Sequence, residues 1–135
     1  MLSTLTLAPV TQARDIASKG VAAGSLAVDT GGLDSAAFMS LHACALGIDW
    51  EPLLPLYDPV ARASTNGPWV FAIPEELRSH LARLDDQSAG DLATLWADCE
   101  ELQDDGVSRE EAHEILLGVV DAARRGGSLL LWLSL

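Results

Sequence analysis

Catalytic or metal chemistry in this chain would have to come from three histidines, two cysteines and a surplus of carboxylates. His42 and Cys44 form a His-x-Cys pair. Two positions apart on a helix, their side chains point roughly 160° away from each other and cannot close on one ion. Cys99 and His113 could meet if their helices pack, but zinc needs further ligands at defined spacing, and neither Cys-x-x-Cys nor His-x-x-x-His occurs. His42 borders an apolar stripe, so it reads as a core histidine that hydrogen-bonds within the fold rather than as a ligand. Asp98 and Glu101, at i,i+3, could do acid–base work if one were buried with a raised pKa. They fall on the polar side of their helix, where a carboxylate stays solvated. No Gly-x-Ser-x-Gly elbow, phosphate loop or dinucleotide fingerprint is present, and Gly31-Gly32 and Gly126-Gly127 read as turn punctuation. Catalysis requires a nucleophile or metal with a base and an orienting group. The expectation is a protein that is not an enzyme and holds no metal or cofactor, with no catalytic residue assigned.

What distinguishes the sequence is charge. Its 135 residues carry a formal net charge of −12. From Asp85 to Glu114 there are eleven acids and one base, Arg109. The whole basic inventory is seven arginines and Lys19, too few to assemble the patch that replaces phosphate counterions, so nucleic acid is excluded as a partner. An anionic membrane surface is excluded on the same ground. The longest apolar run, Leu129 to Leu133, is far short of a span. Asp91, Asp98 and Glu101 lie on the polar side of one expected helix, and Glu110, Glu114 and Asp121 on that of the next. If those faces adjoin, they make one negative field suited to a basic protein partner, for instance a toxin domain that the chain would neutralise. Of four tryptophans, Trp96 and Trp132 sit in core-patterned segments, whereas Trp50 and Trp69 flank a proline-rich connection and could anchor a partner. The bland alternative is that the acids only keep a 49% hydrophobic chain soluble in a structural or self-associating protein, so a homo-oligomer stays open.

These residues need a scaffold, and the chain supplies one of ordinary domain size, residues 1–135. Met1–Leu7 reads as a strand with Leu5 and Leu7 on one face and Thr4 and Thr6 on the other. Pro9 opens a helix that stops at Gly20, and residues 21–32 read as loop. Asp34 caps a helix ending at Gly47, with Ala37, Phe38, Leu41, Cys44 and Ala45 as its stripe. Residues 69–73 are strand-like before Pro74 starts a helix. Ser88 is expected to cap a helix whose stripe is Leu92, Leu95, Trp96, Cys99 and Leu102. Ser108 and Glu111 make a capping box for the last helix, in which Asp121 should pair with Arg125. Ser128–Leu135 is apolar on both faces, as in a central strand covered on both sides. The fold class is therefore α+β and mostly helical, about five helices around a small sheet that includes the N- and C-terminal strands.

The order of elements resembles the YfbM-like family of uncharacterised bacterial proteins. The residues that carry the likeness are Phe38 at an aromatic position, Leu41-His42, Gly47, and the tail Ala122-Ala123-Arg124-Arg125-Gly126-Gly127-Ser128-Leu129-Leu130-Leu131. The sequence departs from the family pattern at Asp34, one residue farther from the histidine, and at Ser35, which replaces a lysine. The resemblance implies an α+β fold alone, since the family has no established activity to carry over. Cys44 and Cys99 read as reduced helix residues, which points to a cytoplasmic protein.

Overall fold

The two ends of the chain lie side by side at the centre of a sheet. In the computed structural model, which describes residues 1–135, strand β1 (Leu2–Leu7) pairs antiparallel with β5 (Leu129–Ser134) from Leu2 opposite Ser134 to Leu7 opposite Leu129. Outside β1 lies β2 (Ala27–Asp29), and on the other flank β5 pairs with β4 (Trp69–Ala72), which pairs with β3 (Ala61–Arg62). All the pairings are antiparallel, in the order β2-β1-β5-β4-β3. The unbroken apolar run of β5 is explained by its position. Leu129, Leu131 and Leu133 point into the large core, while Leu130 joins a smaller cluster on the opposite face.

Six α-helices surround the sheet: α1 (Ala13–Lys19), α2 (Ser35–Leu46), α3 (Glu75–Ala82), α4 (Asp86–Ala97), α5 (Glu100–Asp104) and α6 (Arg109–Arg124). Two 3-10 segments, Val10–Gln12 and Glu51–Tyr57, add to them. The α+β class and both terminal strands match expectation. The local capping chemistry holds at Asp34, whose carboxylate accepts from the Ala37 amide, and at Ser108 with Glu111. Gly47 ends α2 in the left-handed region.

Several local expectations are corrected. Residues 27–29, expected in a loop, form β2, because they find an open edge beside β1. The cap of α4 is Asp85, and Ser88 is its reciprocal partner three residues on. The expected helix through Leu102 is broken, since Cys99 takes an extended backbone and α5 starts afresh. The break moves Glu100 and Glu101 from the negative end of one helix to the first turn of another, where the macrodipole favours carboxylates. Leu95, expected in the buried stripe, is 57% exposed, because the inward face of α4 is Ala89, Leu92, Ala93, Trp96 and Ala97. Asp121 meets Arg124, at 3.8 Å, rather than Arg125, which caps the helix end.

Packing on the helical side is close. The Trp96 side chain is fully buried, its Nε1 donates to the Ala37 carbonyl at 2.9 Å, and its ring lies 6.0 Å from that of Phe38. That one side chain therefore ties α4 to α2. Helix α6 approaches β2 so nearly that a Cβ on Gly118 would lie 2.8 Å from a Val28 methyl, which explains a glycine inside a helix. No helix is long and apolar enough to cross a membrane.

Candidate functional site

The break between α4 and α5 creates the most distinctive surface of the molecule. The outer side of α2, the start of α5 and the residue preceding the 3-10 segment enclose a groove of about 250 Å³. Its floor is Met39, Ala43, Cys44 and Cys99, and its rim is Trp50, Glu100 and Glu101. Trp50 is 51% exposed. Ile48, Leu54 and Leu56 are also exposed along the adjoining segment. A second groove, about 230 Å³, shares Cys44 and is bordered by His80, Asp91 and Leu95.

The candidate residues divide accordingly. Trp50 and Glu101 come together in the first groove, with Glu100 beside them. Asp91 faces the second groove. Asp98 is an exposed residue at the C-terminal end of α4 and is bridged to Arg109 at 3.3 Å, so its charge is partly neutralised across the α4–α6 junction. Glu110 is exposed in the first turn of α6. Glu114 faces away, into a shallow depression of about 380 Å³ that it shares with Asp29 and Glu111. Asp91, Glu101 and Glu114 thus border three different depressions, and Asp98 and Glu110 lie outside all three. Trp69 is not in the groove. It lies in β4, half-buried against the core, with its ring over Gly67, where a Cβ would come within 2.7 Å of it.

His42 is placed as expected for a core histidine, and its surroundings are informative. The imidazole is fully buried, Nδ1 lies 2.9 Å from the Tyr57 hydroxyl, and Nε2 lies 3.8 Å from a Glu76 carboxylate oxygen without a hydrogen bond. Burial holds the imidazole below its ordinary pKa, with the Glu76 carboxylate opposing that shift and His80 adding to it. Burial also pushes the Tyr57 phenol above its ordinary range. A Tyr–His–Glu sequence of contacts has the outline of a relay, but its base is enclosed and lines none of these three depressions. Its role here is to fasten α2 to the 3-10 segment that carries the chain away from Trp50.

The two cysteines, expected as reduced helix residues, meet. Cys44 Sγ and Cys99 Sγ lie 3.1 Å apart, and both residues are half-buried. The signal that could have found this is the pattern itself, since the sequence places Cys44 and Cys99 each on an apolar stripe, which is where packed segments touch. No group of three or more His, Cys, Asp and Glu side chains is arranged to hold a metal ion. No protein family, curated protein or solved structure matches the chain.

Proposed function

We propose that this protein is a binding module that docks a basic protein segment in the Trp50 groove, in the manner of a neutraliser of a cationic partner such as a toxin domain. The observation that carries this reading is the placement of a half-exposed tryptophan beside two carboxylates over an apolar floor. Tryptophan supplies a large contact area at small entropic cost, and a rim of fixed sign selects the partner's charge and speeds its approach. The enclosure of His42 away from the grooves favours binding over catalysis as the role of this surface. Self-association is the second reading, motivated by the exposed Ile48, Leu54, Leu56 and Val60. Two copies each carrying a charge of −12 repel, which favours a basic partner over a second copy.

The test uses peptides of alternating arginine and leucine, with glutamate-for-arginine versions as controls, and follows tryptophan fluorescence. The basic peptides bind and the acidic ones do not. Trp50→Ala weakens binding at least about tenfold, the loss typical of an anchor aromatic. The double change Glu100→Gln and Glu101→Gln slows association and flattens its salt dependence. Equal binding by wild type and both variants would remove the groove from consideration. Sedimentation over a range of concentration tests the second reading, in which Leu54→Asp would dissociate a dimer.

A further inference from the structure

The two thiols are more than neighbours in a core. Their sulfurs, 55 positions apart in sequence, approach to 3.1 Å, about 1 Å beyond the ~2.04 Å of a disulfide bond. One is carried by a regular helix turn of α2, the other by the extended residue that separates α4 from α5. Both line the Trp50 groove, and Cys44 also borders the second groove, so a small reagent can reach the pair from solvent. We propose that Cys44 and Cys99 form a reversible dithiol–disulfide pair, which a small neutral or cationic disulfide oxidises to a crosslink between α2 and the α4–α5 turn. This site stands independently of the docking reading.

The chemistry balances as thiol–disulfide exchange. Burial, and the hydrogen bond and nearby charge of Cys99, hold the Cys44 thiol protonated, well above its ordinary range, and Cys99, on the extended backbone at the α4–α5 break rather than inside a helix, is assigned as the attacking sulfur. The Cys99 thiolate forms a bond to one sulfur of the reagent, and the reagent's other half leaves as a thiolate that takes up a proton. The Cys44 sulfur, giving its proton to solvent, then bonds to Cys99 and displaces the second half. Two protein thiols are oxidised to one disulfide, and one reagent disulfide is reduced to two thiols. Glu100 and Glu101 on the groove rim set the selectivity, because they repel an anionic disulfide and attract a cationic one. A pair that rests reduced and closes under oxidant is what an intracellular disulfide is when it serves as a sensor.

The experiment treats the whole chain with cystamine, a cationic disulfide, and in parallel with glutathione disulfide, which is anionic. Free-thiol titration, intact mass and non-reducing electrophoresis follow the reaction. Cystamine should consume both thiols, leave no adduct and give a monomeric crosslinked form that dithiothreitol reverses. Closing a loop of this length should raise the melting temperature by about 10 °C. Glutathione disulfide should react about tenfold more slowly at low salt, the gap narrowing as salt is added. Cys44→Ser should stop at a mixed disulfide on Cys99, and Cys99→Ser should stop at a mixed disulfide on Cys44 that forms more slowly. Thiols that stay reduced, stable adducts on both cysteines, disulfide-linked dimers, or a crosslinked form that melts no higher than the reduced one would each overturn the proposal. Equal rates with the two reagents would overturn the selectivity assigned to Glu100 and Glu101.

Discussion

The two faces of the sheet are built to different depths. One carries α2 to α6 and a continuous core of 26 buried residues, whereas the other is closed by α1 alone over a cluster of five. Tryptophan shows what the difference means. Trp96, on the deep side, has its indole N–H bonded to a carbonyl of a second helix. On the thin side, the Trp132 N–H is buried without a partner, beneath a seven-residue helix whose buried residues are two alanines and one isoleucine. Layered helices can supply main-chain acceptors to a buried polar atom, and a single short helix cannot cover its ring and satisfy it as well. The groove, the thiol pair and the buried histidine all belong to the deep side, where adjacent helices can end, break and leave shaped space between them.

Truncation on the two sides should show the contrast most strongly. Trp96→Ala removes a fully buried ring and its hydrogen bond to the Ala37 carbonyl, and should cost about 3–5 kcal/mol in urea unfolding. Ile16→Ala, under the thin layer and 8% exposed, should cost about 2 kcal/mol because α1 can settle into the space. Equal losses would mean that the faces contribute alike, and the asymmetry of the core would then be without energetic consequence.

The buried pair in the deep layer gives the next largest effects. His42 has a folded pKa below its unfolded value of about 6.5, so below that pH the unfolded chain binds more protons than the folded one. Stability attributable to this group is therefore full at neutral pH and is lost as pH falls below about 6.5, with a slope of at most about 1.4 kcal/mol per pH unit. Urea unfolding of wild type and His42→Gln from pH 7.5 to 5 isolates the term, since the surface carboxylates contribute to both. A difference between the two that does not change with pH would contradict it. Tyr57→Phe removes the partner of His42 Nδ1 and should cost about 1–2 kcal/mol with no change in shape, the loss expected for an unpaired buried nitrogen.

What could be seen in the sequence follows the same division between regular and irregular backbone. The alternation of Leu5 and Leu7 with Thr4 and Thr6 gave the correct face for β1, and the two-sided apolarity of Leu129–Leu133 gave the central position of β5. Asp34, Gly47, Ser108 and Glu111 act locally, so their roles were legible as well. Residues 27–29 were not, because a three-residue edge strand is defined by the neighbour it finds rather than by its own pattern. The site was half legible. Trp50 and Glu101 were candidates from exposure and charge, but their meeting depends on the extended backbone at Cys99. A single helical period drawn from Leu92 to Leu102 takes in Leu95 and Cys99 together, whereas α4 buries Leu92, Ala93, Trp96 and Ala97 and the chain breaks at Cys99.

Leu95 gives the smallest expected effect and the sharpest check on that buried face of α4. If it shared the stripe of Leu92, Trp96 and Leu102, a polar replacement would cost several kcal/mol, as for any large apolar core residue. With α4 ending at Ala97, Leu92, Ala93, Trp96 and Ala97 turn inward and Leu95 stands on the wall of the second groove, more than half in solvent. Leu95→Gln should then change the unfolding free energy by less than about 0.5 kcal/mol, as surface substitutions do. The same change in Leu92, which is 6% exposed, should cost more than about 2 kcal/mol, since it buries an amide in place of a methyl-rich side chain. A large loss from Leu95→Gln would show that Leu95 is buried, and would contradict the inward face of α4 made by Leu92, Ala93, Trp96 and Ala97.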